Sequence, residues 1–349
     1  MDLGVCVASK IDDLEYPKLC EDLGYSHLWF ADSQMIWSDV FATMALAADR
    51  TSTIKIGTGV AVAGTRPAPV LAAAMATINR LAPGRVFCGV GSGNTAMRIM
   101  GHKPVTIAEL DEYLRVLRPL LRGEEVSFAY RGKQARTKHL MPDAGFVDFE
   151  HEIPLHVSGF GPRSIALAGK HGDGLVLGGS LTPAVVSTLK GLTGRNDMEI
   201  TALTTMVVLE PGEDAGSERV KAEAGSMAIS GLHYAYEQVT QLGNPPPAYA
   251  AAFWDDYVAQ VEAIPVERRH LHVHRGHCCW VEPDEERFVT RELIEATCMV
   301  GTADDLAARC RALEEAGLTQ LMLLPPLDCK EKVLGQVAEQ VMPRIRTGG

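Results

Sequence analysis

Residues 155–179 read Leu-His-Val-Ser-Gly-Phe-Gly-Pro-Arg-Ser-Ile-Ala-Leu-Ala-Gly-Lys-His-Gly-Asp-Gly-Leu-Val-Leu-Gly-Gly and spell a complete strand–helix–strand unit. A short apolar run, Leu155 to Val157, ends at Gly159-Phe160-Gly161, and Pro162 stands where a first helical residue is favoured. Ile165, Leu167 and Ala168 supply an apolar face before Gly169 and Gly172 close the helix. Leu175-Val176-Leu177 then forms a second buried strand that ends in Gly178-Gly179. A glycine turn that opens a helix presents unpaired backbone N–H groups and the positive end of the helix dipole, which suits a phosphate. The same glycines also serve as a plain tight turn in any α/β fold, and this segment alone leaves both readings open.

Residues 85–101 repeat the pattern. The apolar strand Val86 to Val90 breaks into Gly91-Ser92-Gly93-Asn94, and two glycine-rich strand ends in one chain imply a common crevice where backbone approaches a ligand. The dinucleotide fingerprint is not met: Gly89-x-Gly91-x-Gly93 lacks the third glycine, and no acidic residue closes a neighbouring strand at the expected distance.

Outward from these segments, strands and helices alternate along the whole chain. Strands are expected at Leu3–Ala8, Leu28–Ala31, Ile54–Val62, Ile200–Leu209 and Leu318–Leu324. Helices are expected at Leu14–Leu23, from Asp39 to Ala48, from Pro67 to Leu81, and at Ile107–Leu121, Thr302–Ala316 and Glu331–Met342. About eight βα units without a shift of composition predict a single-domain α/β fold over 1–349, a (β/α)₈ TIM barrel. It carries a hairpin or loop insertion near 124–152 and a helical insertion near 217–290, the latter broken at Pro245-Pro246-Pro247. A barrel turns all strand carboxyl ends to one mouth, so Asp32, Ala63, Gly91–Asn94, Ser158–Pro162 and Gly178-Gly179 are expected to meet there.

Hydrophobic content of 46 % and charged content of 22 % are those of a soluble globular protein. A net charge of −11 argues against nucleic acid or an anionic membrane as a partner. No secretion signal or membrane-length apolar run is read. The cysteines at 6, 20, 88, 278, 279, 298, 310 and 329 contain no Cys-x-x-Cys pair and fall mostly in apolar segments. They read as buried free thiols, and a cytoplasmic location is expected.

Several segments, in this order and at these strand ends, resemble the bacterial luciferase-like superfamily of flavin- and deazaflavin-dependent oxidoreductases. They are Trp29-Phe30-Ala31-Asp32-Ser33-Gln34, Ile56-Gly57-Thr58-Gly59-Val60, Pro83-Gly84-Arg85, the Gly-Val-Gly-Ser-Gly-Asn turn at 89–94 and Gly161-Pro162-Arg163. His274-Arg275-Gly276-His277 and Met299-Val300-Gly301-Thr302 extend the likeness over most of the chain. The resemblance implies a barrel binding reduced FMN or coenzyme F-420, a small-molecule substrate and a homodimer. For an FMN enzyme it also implies a separate flavin reductase as partner. The ring would lie in the mouth with its phosphate on the glycine turns. Val60, Ala61, Ala63, Gly91, Ser92, Gly93, Asn94, Ser158, Gly159, Phe160, Gly161, Pro162, Gly178 and Gly179 are thus the expected cofactor-binding residues.

Two departures lean the reading toward a monooxygenase using reduced FMN and dioxygen. Asp32-Ser33 stands where the deazaflavin branch carries Asp-His, and 64–69 lacks an Arg-His-Pro. No cluster of basic residues beyond Arg66, Arg98 and Arg163 offers itself to a polyglutamyl tail. The Gly-Pro-Arg pattern at 161–163 with the glycines that follow is at home in the deazaflavin branch. F-420-dependent hydride transfer therefore stays open as the alternative, with a non-catalytic flavin-binding protein as a third reading.

Asp32, His274 and His277 are the expected catalytic side chains. His270, His272 and His274 alternate with Leu271 and Val273, so a strand would turn all three to one face. With His277, Cys278 and Cys279 they could mimic a metal site, but Arg268, Arg269 and Arg275 flank them and no metal is expected. The segment instead reads as a partly polar strand or loop lining the mouth, with His274 and His277 as substrate-facing hydrogen-bonders and His277 an acid or base beside the flavin. Asp32 has a structural alternative as an N-cap or a salt bridge to Arg66. Trp29 reads as core, Trp37 as ring-packing or core, and the proline-interrupted helical insert that carries Tyr249, Trp254 and Tyr257 as a lid or dimer surface. A strained peptide supporting the ring is looked for after Gly59.

Overall fold

The structure, a computed structural model, describes residues 1–179 and 181–346; the remainder of the expected 1–349 domain lies outside the described residues. The chain begins β1 (Asp2–Val7), α1 (Tyr16–Asp22), β2 (His27–Phe30), α2 (Val40–Arg50), β3 (Lys55–Thr58), β4 (Ala61–Val62), α3 (Ala68–Leu81) and β5 (Val86–Gly91). Helices α4 (Asn94–Arg98) and α5 (Ile107–Leu120) follow, then an antiparallel hairpin of β6 (Val126–Tyr130) and β7 (Lys133–Thr137). The alternation resumes with β8 (Leu155–Ser158), α6 (Pro162–His171), β9 (Gly174–Gly178), α7 (Pro183–Leu192) and β10 (Glu199–Thr204). Between β11 (Met206–Val208) and β12 (Met299–Gly301), a parallel pair, the chain inserts α8 (Glu218–Leu242), α9 (Trp254–Glu262) and α10 (Arg291–Thr297). It closes with α11 (Ala303–Glu315), β13 (Gln320–Leu323), α12 (Lys330–Gln340) and α13 (Met342–Arg346).

Strands β1, β2, β3, β5, β8, β9, β10 and β13 pair in parallel in that order, and β13 returns to β1. This is a closed eight-stranded (β/α)₈ barrel. Buried on both faces, the strands are apolar almost throughout. The two-residue period sorts the side chains: Leu28 and Phe30 face the helices, while Trp29 between them joins Cys6, Phe87, Val176 and Met322 inside the barrel. Trp29 Nε1–H donates to Gln320 Oε1 at 2.7 Å, and its ring lies 4.3 Å from that of Phe87. Gly57 leaves room for this plug, since a Cβ there would stand 2.2 Å from the Phe87 ring.

Local chemistry fixes the helix starts. The Asp39 carboxylate accepts from the N–H groups of Phe41 and Ala42 at the head of α2, and Thr106 forms a reciprocal capping box with Glu109 at the head of α5. The inserted helices share one apolar cluster with the barrel interior, in which Val220, Leu232, Tyr257 and Phe288 continue into Cys6 and Trp29, so the insertion roofs the mouth.

Two expectations are corrected. The third strand is not continuous over 54–62 but divides into β3 and β4, and the Gly59–Val60 peptide between them is cis. Residues 270–274 are not a strand: Val266–Leu271 is a 3₁₀ helix followed by turns, with Arg269 held on the carbonyls of Ile264 and Glu262. His270, His272 and His274 therefore do not share a strand face. Within the insertion Trp254 and Tyr257 are buried, Tyr257 edge-on to Phe288. Among the described residues no helix is long and apolar enough to cross a membrane.

Candidate functional site

The expected cofactor residues lie on neighbouring strand ends of one rim. Ala61 pairs with Val90 and Val62 with Gly91, and the Ala63 N–H donates to the Gly91 carbonyl at 3.1 Å. Val60 lies against the next strand: Cβ atoms built on Gly89 and Gly91 would stand 3.0 and 2.9 Å from its methyl groups. The result is an apolar ledge that only glycine at 89 and 91 permits. Gly93 then turns the chain into α4 with φ +81°, a left-handed conformation that glycine adopts without cost.

On the adjoining strands, Ser158 is opposite Val176, and the Gly159 N–H donates to the Val176 carbonyl. At the head of α6, the Ser164 hydroxyl accepts from the Gly161 N–H at 3.2 Å and donates to the Gly161 carbonyl at 2.9 Å. The following first-turn N–H groups, past Pro162, have no intrahelical acceptor. Among the described residues a Cβ on Gly161 or Gly179 would meet nothing within 4 Å, chain neighbours aside, so both positions leave the backbone bare. Phe160 is exposed beside Gly178. These residues can therefore cradle a phosphate-bearing ring cofactor.

Asp32, at the end of β2, is buried and occupied. Its Oδ2 accepts from Arg66 Nη1 at 2.5 Å and from the Val62 N–H at 3.2 Å. Burial raises its pKa, and the Arg66 contact opposes the rise. Arg66 also lies over the Phe41 ring. Asp32 straps the 61–66 segment to β2, and the salt bridge is the geometry it adopts.

The roof supplies the other wall. Trp37 is half-buried, donates its indole N–H to Cys279 Sγ at 3.3 Å, and has its ring 5.7 Å from that of His277. Tyr234 on α8 shares a 2.6 Å hydrogen bond with Thr95, just past the Gly93 turn. His274 Nε2 lies 3.0 Å from Glu237 Oε1, and Arg98 approaches the other Glu237 oxygen while donating to Asn94 Oδ1. Burial holds the His277 imidazole well below its usual pKa, and the His274 and His233 rings beside it add to the effect. Burial lowers His274 as well, against the pull of Glu237. Both are neutral at pH 7. His270 and His272 stand apart from this wall, His270 beside Gly101.

Sequence reading passed over His233, Tyr234, Glu237 and Glu285. A signal for two of them was present: Ser226, Ser230, His233 and Glu237 recur at helical spacing on α8, and all four are buried. This polar stripe holds the 274–278 turn. Ser226 donates to the Cys278 carbonyl, Ser230 accepts from the Cys278 N–H, and Glu237 binds His274.

A family model described as luciferase-like monooxygenase matches residues 12–320. The 5,10-methylenetetrahydromethanopterin reductase of Methanolobus tindarius is 24 % identical over 335 residues, covering 94 % of each chain. The coenzyme F-420-dependent tetrahydromethanopterin reductase of Methanopyrus kandleri shares the fold with a TM-score of 0.70, at 20 % identity over 99 % of both chains. A monooxygenase from Streptomyces bottropensis does so with a TM-score of 0.62, at 17 % identity over 98 % of this chain and 99 % of that one.

Proposed function

The chain belongs to the luciferase-like monooxygenase family, a flavin- or deazaflavin-dependent oxidoreductase by that membership, and from this premise we propose that it transfers a hydride between coenzyme F-420 and a small organic substrate. The observation that carries the cofactor site is the bare backbone at Gly161 and Gly179 beside the Gly91–Asn94 turn, on adjoining strands of one rim. What favours the deazaflavin is that the reductases of M. tindarius and M. kandleri align over nearly the whole chain, the second being named for coenzyme F-420.

When bound, the deazaflavin supplies the hydride acceptor or donor. The residues of the chain do the rest. First-turn N–H groups of α6 bind the phosphate, with the helix dipole aligned behind them. Val60 offers an apolar ledge to the ring, and the Asp32–Arg66 pair holds the 61–66 segment in place behind it. Trp37 and Tyr234 each set a ring against His277, at 5.7 and 6.0 Å, and the three form the substrate wall opposite. The neutral imidazoles of His274 and His277 give that wall hydrogen-bonding capacity without charge. Homodimer assembly and a cytoplasmic location belong to the same proposal.

A specific observation favours a second reading, an FMN-dependent monooxygenase supplied by a separate reductase: Ser33 follows Asp32 where the deazaflavin branch carries histidine. Anaerobic titration with reduced F-420 and with reduced FMN, followed by air, tests both. Tight binding of F-420 that is indifferent to air is the expected outcome. Selective binding of FMN with a transient peroxyflavin absorbance would replace the first reading by the second.

A further inference from the structure

Three buried histidines converge under the roof. One ring nitrogen from each of His233, His274 and His277 lies within 4.8 Å of those of the other two. In all three rings Nδ1 is buried without a hydrogen-bond partner among the described residues. The opposite nitrogen of His233 faces Glu285 Oε1 at 2.8 Å, and that of His274 faces Glu237 Oε1 at 3.0 Å. A carboxylate on one imidazole nitrogen with the other nitrogen free is the arrangement that orients a histidine toward a metal ion.

We propose that His233, His274 and His277 bind one divalent transition-metal cation, with Glu285 and Glu237 orienting the first two ligands. An all-imidazole set selects the zinc, cobalt and nickel class over magnesium or calcium, which require oxygen ligands. Nitrogens at the usual metal distance of about 2.1 Å in tetrahedral geometry are about 3.4 Å apart, so each ring must move inward by at most about 0.8 Å, within reach of side-chain rotation. The arginines that spoke against a cation in the sequence are engaged elsewhere: Arg269 on backbone carbonyls and Arg275 on Glu282, with Arg268 exposed. Arg98 touches the Glu237 oxygen that His274 does not use. The ion would tie α8 to the 274–277 turn. Three protein ligands leave a fourth position for water or, if the hydride-transfer reading holds, for a substrate oxygen on the Trp37 side.

The test uses the full chain, stripped with chelator and free of flavin, titrated with Co²⁺. One equivalent should bind with visible ligand-field bands that Zn²⁺ abolishes. In the cobalt-loaded protein, proton NMR should show three exchangeable imidazole N–H signals shifted by the paramagnetic ion. His277→Gln and Glu285→Gln should each weaken cobalt binding about tenfold or more, whereas His270→Gln should leave it unchanged. No visible bands at millimolar cobalt, fewer than three shifted signals, or undiminished binding by His277→Gln would each overturn the proposal. The NMR count needs no variant, so a misfolded mutant does not spoil the test. Flavin and F-420 titrations of the stripped protein are separate, so failure of the cofactor reading and failure of the metal site are told apart.

Discussion

Gly161 has space for a side chain that Gly93 lacks, and the two glycines therefore fail in opposite ways. At Gly161 the backbone is extended, φ −113°, at the N-cap of α6. Aspartate is favoured in that position, so Gly161→Asp should fold with an unchanged or raised melting temperature. Its carboxylate would occupy and repel the phosphate site, and fluorescence titration should show a loss of cofactor affinity of more than about tenfold, ~1.4 kcal/mol. Unchanged affinity in the folded variant would remove α6 from the cofactor site. Gly93→Ala instead places a Cβ 2.4 Å from Val62 in a left-handed conformation. A stability loss of roughly 1–3 kcal/mol is expected from urea unfolding. Asp32→Ala would strip the partner from a largely buried arginine, and a loss of about 3 kcal/mol is expected. Asp32→Asn, which keeps an acceptor for the Val62 N–H, should lose less in the same measurement.

At the scale of elements, most starts and stops were written in local chemistry. The capping box of α5 is an example: Thr106→Ala should lower stability by about 1 kcal/mol in chemical denaturation, and restoring the cap with serine should recover most of it. The glycine turns at 91–94 and 159–161 were legible for the same reason, because strand, turn and helix signals lie within a few residues of one another. Strand and loop stayed open for the 270–274 segment because period-two alternation over so few residues does not specify a strand without a partner edge; Pro265 begins a 3₁₀ turn there, and the non-strand form is the one adopted. The stripe on α8 was legible in principle. A helix was read there, but its polar residues matter only because a turn from 274–278 docks against them.

For the whole molecule, the polar plug of the barrel sets an acid limit. Burial lowers the pKa of His27 to about 3 and of His156 to about 4, from an ordinary 6.5. Both are neutral in the fold, and below pH 6.5 the unfolded chain binds the protons that the fold refuses. Stability is therefore full above the unfolded pKa and falls as pH drops toward the folded values, by about 1.4 kcal/mol per pH unit for each histidine. Urea midpoints should fall from pH 7 to pH 5, and His156→Asn should flatten the slope. A midpoint independent of pH over that range would contradict the buried, neutral assignment.

Eight alternating units determined the barrel, and glycine at the ends of neighbouring strands determined the rim, because hydrophobic period and turn chemistry act between residues close in sequence. Tertiary structure alone decided which side chains meet. His27 reaches Gln320 across 293 positions, and His233 finds Glu285 across 52. It also decided that Asp32 is spent on Arg66, and that His274 and His277 gain a third histidine from a helix some forty residues upstream. No local signal encodes such meetings, since they depend on where barrel closure and the roof bring distant strand ends and helix faces within a few ångströms of each other.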